Sequence, residues 1–201
     1  MIKKKKLSKI EMEKDEQNKL SLAFQAVSED KTFKKLADDH KLSLVKESLE
    51  IGREIAQWVV SEFKESDPRK IATFLGVKVL GEERGKNGRG TMFDRQKKEI
   101  VVYRNYHEKL LREIHSPELS HKLLKLLVAV QLFYYLEAER FGEVYRRFKF
   151  SSWSIGPYNR EKYVRGLSQV AAQAFSVSLL DLELTQPVFE HLSTILQPGS
   201  K

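Results

Sequence analysis

The chain has 201 residues, 41% of them hydrophobic, and 36 Lys and Arg against 28 Asp and Glu give it a net charge of +8. That is enough apolar material for one substantial core, or for one domain with an appendage. With no cysteine, disulfides and cysteine-ligated zinc are both excluded.

Lys3 to Lys6 resemble the start of a secretory signal, but the next residues, LSKIEMEKDEQNK, hold no apolar stretch, so a basic arm is expected. The first forty residues carry two short apolar clusters, Leu22 to Val27 and Phe33 to Ala37, which predict one or two modest helices. From Ser43 to Phe63, Val45, Leu49, Ile51, Ile55, Trp58 and Val59 recur at helical spacing and predict a longer amphipathic helix. Asp67 and Pro68 suit the cap and first turn of the next helix, Ile71 to Leu75, which Gly76 stops. Val77 to Leu80 reads as a strand, and TMFD with EIVVYR as a hairpin after a Gly-rich turn segment. Ser116 and Pro117 open a long helix, Glu118 to Arg140; Ser168 to Leu180 and Pro187 to Leu196 complete the helices. The longest apolar run, Leu126 to Leu136, falls short of the ~20 residues of a membrane span and contains Gln131, so a cytoplasmic chain with no membrane contact is expected.

The run LLVAVQLFYYLE, Leu126 to Glu137, has the shape of a zinc-protease helix without its working groups. In H-E-x-x-H two imidazoles four residues apart grip one ion and the intervening Glu activates its water. Those places hold Val130, Gln131 and Tyr134. Valine has no lone pair to give, neutral Gln cannot take a proton from water, and a phenol with a pKa near ~10 is a poor ligand at neutral pH. Even so, Leu127, Val128, Ala129, Leu132, Tyr135 and Leu136 make the segment resemble the active-site helix of the ImmA/IrrE metallopeptidase family.

Two further stretches carry the same resemblance. AAQAFSVSLL is similar to the family's E-A-x-x-F-A-x-x-L-L helix through Ala172, Phe175, Leu179 and Leu180, with Ala171 where the third zinc ligand belongs. Upstream, IATFLGVKVL and GRGTMFDRQKKEIVVYRN look like the helix, strand and Gly-led hairpin that precede the zinc helix. The likeness covers Asp67 to Asp181. It implies an α+β, zincin-like fold, mostly helical with a small antiparallel or mixed three-stranded sheet. An N-terminal helical extension over 1–66 would precede a pseudopeptidase domain over 67–201. It also implies an ancestral peptidase and an association with helix-turn-helix regulators. With both helix ligands, the base and the third ligand replaced, no cofactor and no catalysis are expected.

Three other patterns imitate known motifs. GEERGKN differs from a phosphate loop in its glycine spacing, with Asn87 where a magnesium-binding hydroxyl belongs. KLADDHKLSLVKESLEI imitates a helix-turn-helix, but Lys41 stands at the turn and Glu47 at a position that would have to be buried. Among the histidines His40, His107, His115, His121 and His191, a metal set could form from Glu118 and His121 with His115 or His107, though Glu118 equally suits a helix start. If that set bound metal, the chain would be a hydrolase of unconventional kind.

From Tyr145 to Arg165, Arg146, Arg147, Lys149, Arg160, Lys162 and Arg165 alternate with Phe148, Phe150, Trp153, Tyr158 and Tyr163. Such a loop suits an acidic peptide or single-stranded nucleic acid, or anchors its rings on the core while the basic heads stay wet. The leading expectation is an inactive peptidase-like module that grips a protein partner, such as a helix-turn-helix regulator. It would do so by strand addition near Ile100 to Arg104, with Tyr103, Arg146, Arg147, Trp153, Tyr158 and Arg160 as contact residues. Nucleic-acid binding through the same basic loop and the lysine arm is the alternative, and would weaken steeply with salt.

Overall fold

The computed structural model describes residues 9–83, 90–105, 108, 112, 114, 116–155 and 158–195, with backbone alone at 9, 11, 151–155, 158–160, 194 and 195. Lys3 to Lys6, His107, His115 and most of the Gly-rich turn segment lie outside the described residues.

Helix α1 (Lys9–Val27) is longer than its one apolar cluster predicts. Leu22, Ala23 and Val27 are buried near its end, and the charged remainder extends the helix toward the surface. Asp30 caps the single turn α2 (Lys31–Lys34), accepting from the amides of Thr32 at 2.7 Å and Phe33 at 3.1 Å. Helix α3 (Asp38–Phe63) starts before Ser43, with Asp38 and Asp39 set against the positive end of its dipole. It runs unbroken through Lys41 and leaves Glu47 exposed, so from Asp38 onward the helix-turn-helix imitation is one continuous helix with no turn at Lys41, and Ala37 lies before it. The cap expected at Asp67 is present: its carboxylate accepts from the Arg69 amide at 3.0 Å and opens α4 (Pro68–Phe74), after which Gly76 takes φ 71°.

Three strands follow, β1 (Lys78–Glu82), β2 (Thr91–Asp94) and β3 (Glu99–Tyr103), in the order β1-β3-β2. β3 pairs parallel with β1 and antiparallel with β2, so the small sheet is mixed. One row across it, Val79, Ile100 and Phe93, turns toward α5 (Pro117–Leu136), where Phe93 meets Tyr135 edge-on at 5.8 Å.

Helix α5 starts as predicted, with the Ser116 hydroxyl accepting from the Leu119 amide at 3.3 Å. It passes at Glu137–Phe141 into a π-helical turn that ends at Gly142, φ 74°. A 3-10 turn (Val144–Arg147) leads to β4 (Phe150–Ile155) and β5 (Tyr158–Lys162), an antiparallel hairpin with an irregularity between Ser151 and Ser154. The segment expected to be a loop is therefore largely hairpin. Helices α6 (Gly166–Leu179) and α7 (Gln186–Ile195) close the described chain.

The fold is thus mostly helical with a small mixed sheet, an α+β arrangement. Its core gathers Leu22 and Val27 of α1, Val45 and Val59 of α3, Leu126 and Phe133 of α5, and Leu167 and Phe175 of α6. Helix α3 lies so close on α6 that a Cβ at Gly52 would stand 2.2 Å from the Ala171 carbonyl oxygen. Pro117–Phe141 is long and apolar enough to span a membrane, more so than the apolar run alone suggests, yet 61% of its most apolar window is buried inside the fold.

Candidate functional site

Helices α5 and α6 run antiparallel along one seam. Phe133 meets Phe175 at 5.6 Å, and one turn further along α5 the Ser168 hydroxyl donates to Glu137. Val130, Tyr134 and Glu137 follow one another at helical spacing on a single α5 face, and Ala171 lies one turn after Ser168 on α6. By that spacing Val130 and Tyr134 lie on the α5 face that carries Glu137, and Ala171 on the α6 face that carries Ser168. Gln131 points off that face and is half-buried.

Tyr134 is half-buried and packs against the core. Val130 is 7% exposed and Ala171 fully buried. Burial, then the neighbouring Glu137, pushes the Tyr134 phenol above its ordinary value, which disfavours the phenolate that a metal would need. Valine and alanine carry no donor, so the residues at these positions do not fit a zinc ion.

What occupies the end of the seam is a carboxyl network that sequence reading missed. Glu137, 7% exposed, accepts from the Val144 amide at 2.7 Å as well as from Ser168, and Ser168 Oγ in turn accepts from the Tyr145 amide at 3.3 Å. Burial pushes Glu137 upward, opposed by Ser168 and the Val144 amide, with Glu143 adding to the rise and Arg147 reducing it; the net shift is upward. Chemically the network fastens the turn after α5 onto the start of α6. The Ser168 hydroxyl and the Glu137 carboxylate are both buried, at 6% and 7% exposure, so the pair does not face solvent. The one sequence signal that could have found it is a Glu at the end of an apolar helix, where solvation alone would not place it.

Strand addition at β3 is excluded, because β3 is the central strand and both its edges are paired. Tyr103 is 6% exposed, its hydroxyl turned toward Met92 Sδ at 4.0 Å, so it presents no contact surface. An edge strand cannot be told from a central one until the pairing order is known. On β1, Lys78 N–H donates to Lys98 O, and parallel alternation turns the backbone N–H and C=O of Val79 and Gly81 outward. Among the described residues nothing pairs with that edge.

Several cations of the basic aromatic segment have intramolecular partners. Arg146 pairs with Glu143 and lies over the Tyr145 ring at 5.7 Å; Lys149 pairs with Glu161 at 3.1 Å; Arg147 donates to the Phe141 carbonyl at 3.3 Å. Trp153, Tyr158 and Arg160 are strand residues whose side chains lie outside the described part. Phe148 is buried and Phe150 packs against His40 at 5.7 Å, so these two rings anchor the segment.

Glu118 and His121 are both exposed on the first turns of α5, and His115 lies outside the described residues. Among the described residues no three His, Asp or Glu side chains are grouped closely enough to share a metal ion. No family model, no curated protein and no solved structure matches this chain.

Proposed function

We propose that this chain is a zincin-like protein without peptidase chemistry, serving as a protein-interaction or regulatory module whose candidate partner is a helix-turn-helix transcription regulator. The observation that carries the reading is the seam between α5 and α6. The four positions where the ImmA/IrrE resemblance expects metal ligands and base hold Val130, Gln131, Tyr134 and Ala171, and helical spacing puts Val130, Tyr134 and Ala171 on the sides of α5 and α6 that carry Glu137 and Ser168. The order of elements supports it as well: helix, strand, hairpin, long apolar helix, second helix.

The partner's point of entry is the β1 edge. An extended segment can hydrogen-bond there to Val79 and Gly81, with Leu80, 38% exposed, offering an apolar contact beside it. Gly81 is the place to test this, since a Cβ there meets only Arg104 Nε at 3.9 Å and its N–H points away from β3. Proline is tolerated at such an edge position, so Gly81→Pro removes the docking N–H and leaves the sheet intact.

The experiment measures binding of a candidate helix-turn-helix regulator to the wild-type chain and to Gly81→Pro, and follows the regulator's integrity with zinc supplied. Retention by the wild type, loss in the variant and an uncut regulator are expected. Cleavage of the regulator would refute the loss of catalysis, and equal retention by Gly81→Pro would refute the edge.

A further inference from the structure

Away from that edge, Gln173 of α6 is 4% exposed, and among the described residues its Oε1 is buried without a hydrogen-bond partner. Folded proteins seldom leave a carboxamide oxygen in that state unless something else supplies the donor. Gln173 lines a cavity together with Leu22 of α1, Leu49 of α3 and Val177 of α6, and Lys19 and Arg53 line it too.

Those two cations already hold a carboxylate. Glu16 accepts from Lys19 Nζ at 2.9 Å on Oε1 and from Arg53 Nη2 at 3.3 Å on Oε2. Lys19 and Arg53 therefore stand at a separation that one carboxylate spans. The Glu16 side chain is 61% exposed, and an exposed pair of this kind is weak enough for a ligand to displace.

The enclosed space is about 20 Å³, room for little more than a water molecule. Arg53 and Leu49 are also walls of an adjoining trough of about 430 Å³, the size of a small-ligand site. Arg53 stands between the two spaces, and its side chain lines both.

We propose that this place binds an α-carboxylate carrying a neighbouring N–H and a small aliphatic side chain, as offered by an N-acyl amino acid or by the last residue of a peptide. The carboxylate replaces Glu16 between Lys19 and Arg53, the N–H donates to Gln173 Oε1, and the aliphatic group lies in the trough against Leu20 and Leu49. Asp15, 2.5 Å from Lys19, and Glu50, 3.0 Å from Arg53, match the two cations charge for charge, so the affinity is modest and Glu16 is a built-in competitor. The site is independent of the proposed function.

The test is titration of the full chain with N-acetyl-L-leucine, N-acetyl-L-leucinamide and a leucine-terminated hexapeptide, followed by calorimetry and amide chemical shifts. The free acid should bind and the amide should not. Glu16→Gln, on an exposed side chain, should tighten binding about five-fold, the worth of an exposed ion pair. Gln173→Leu and Arg53→Met should each weaken it. Tighter binding of the hexapeptide assigns the site to peptide termini, and tighter binding of N-acetyl-L-leucine assigns it to a small molecule. Equal binding of acid and amide, no gain in Glu16→Gln, or no binding to either protein would overturn the proposal.

Discussion

Gly52→Ala probes the contact that locks α6 against α3. The added Cβ would stand 2.2 Å from the Ala171 carbonyl oxygen, 2.9 Å from Ala174 Cβ and 2.9 Å from the Phe175 nitrogen. Non-bonded heavy atoms prefer about 3.5 Å, so the helices must part by roughly 1 Å. Two of the three neighbours are main-chain atoms of a helix and cannot step aside by changing rotamer. Overpacking of this kind costs about 1–3 kcal/mol. Three simultaneous close contacts place it at the upper end, against a gain of about 1 kcal/mol from replacing glycine inside a helix. The net loss is about 2 kcal/mol. For a chain of this size that is a fall in Tm of roughly 4–8 °C, readable by circular dichroism during heating and in a urea titration. A Gly52→Ala protein as stable as the wild type, or more stable, would show that the helix-propensity gain goes unopposed, and would refute the close crossing at Ala171.

Glu137 and Asp67 give pH-dependent tests of opposite sign. Because the folded state raises Glu137 above its ordinary 4.5, its contribution is complete below that value and is lost as pH rises through the folded-state value. Glu137→Gln keeps an acceptor for the Val144 amide and cannot ionise. Relative to the wild type it should therefore gain stability as pH rises from 4.5 through the higher folded-state value, by about 1.4 kcal/mol for every tenfold difference in proton affinity between the folded and unfolded states; a pH-independent difference in urea midpoints would contradict this. For Asp67, burial acts upward, but the Lys125 ammonium at 2.8 Å and the Arg69 amide prevail and hold it below 3.8. Its stabilisation is present above that value and is lost as pH falls through the lower folded-state one. Asp67→Ala removes the α4 cap and the Lys125 bridge together and should cost about 1–2 kcal/mol at neutral pH. Asp67→Asn, which still caps, should cost less, and equal losses would assign the effect elsewhere.

Features written in adjacent residues were legible before the fold was known. Asp67 and Pro68 opening a helix, Gly76 ending it and Ser116 capping α5 each depend on a few neighbouring backbone groups. The TMFD and EIVVYR hairpin was likewise marked by its alternating, β-branched residues. What required three dimensions was pairing and contact at long range. β3 looks like an available strand until β1 and β2 are found on its two sides. The length of α1 was hidden, because most of its residues are charged and only Leu22, Ala23 and Val27 report burial. The β4–β5 hairpin was obscured by its mixture of rings and cations, which composition assigns to a binding loop as readily as to strands. Glu137 is separated from Ser168 by 31 residues, and no local rule joins a carboxyl at a helix end to a serine on another helix. Gly52 reads as a weak point in a helix until Ala171 is seen against it.

Grafting metal ligands tests the central claim most directly. If the α5–α6 seam keeps a zincin-like arrangement, Val130→His, Tyr134→His and Ala171→Glu, with Gln131→Glu, should place three ligands around one point. The variant should then bind one cobalt or zinc ion per chain, with a tetrahedral cobalt spectrum and a metal-dependent rise in Tm. The Val130→His, Tyr134→His pair alone should bind metal more weakly but above the wild-type level. A folded four-substitution variant that takes up no more metal than the wild type would contradict the account.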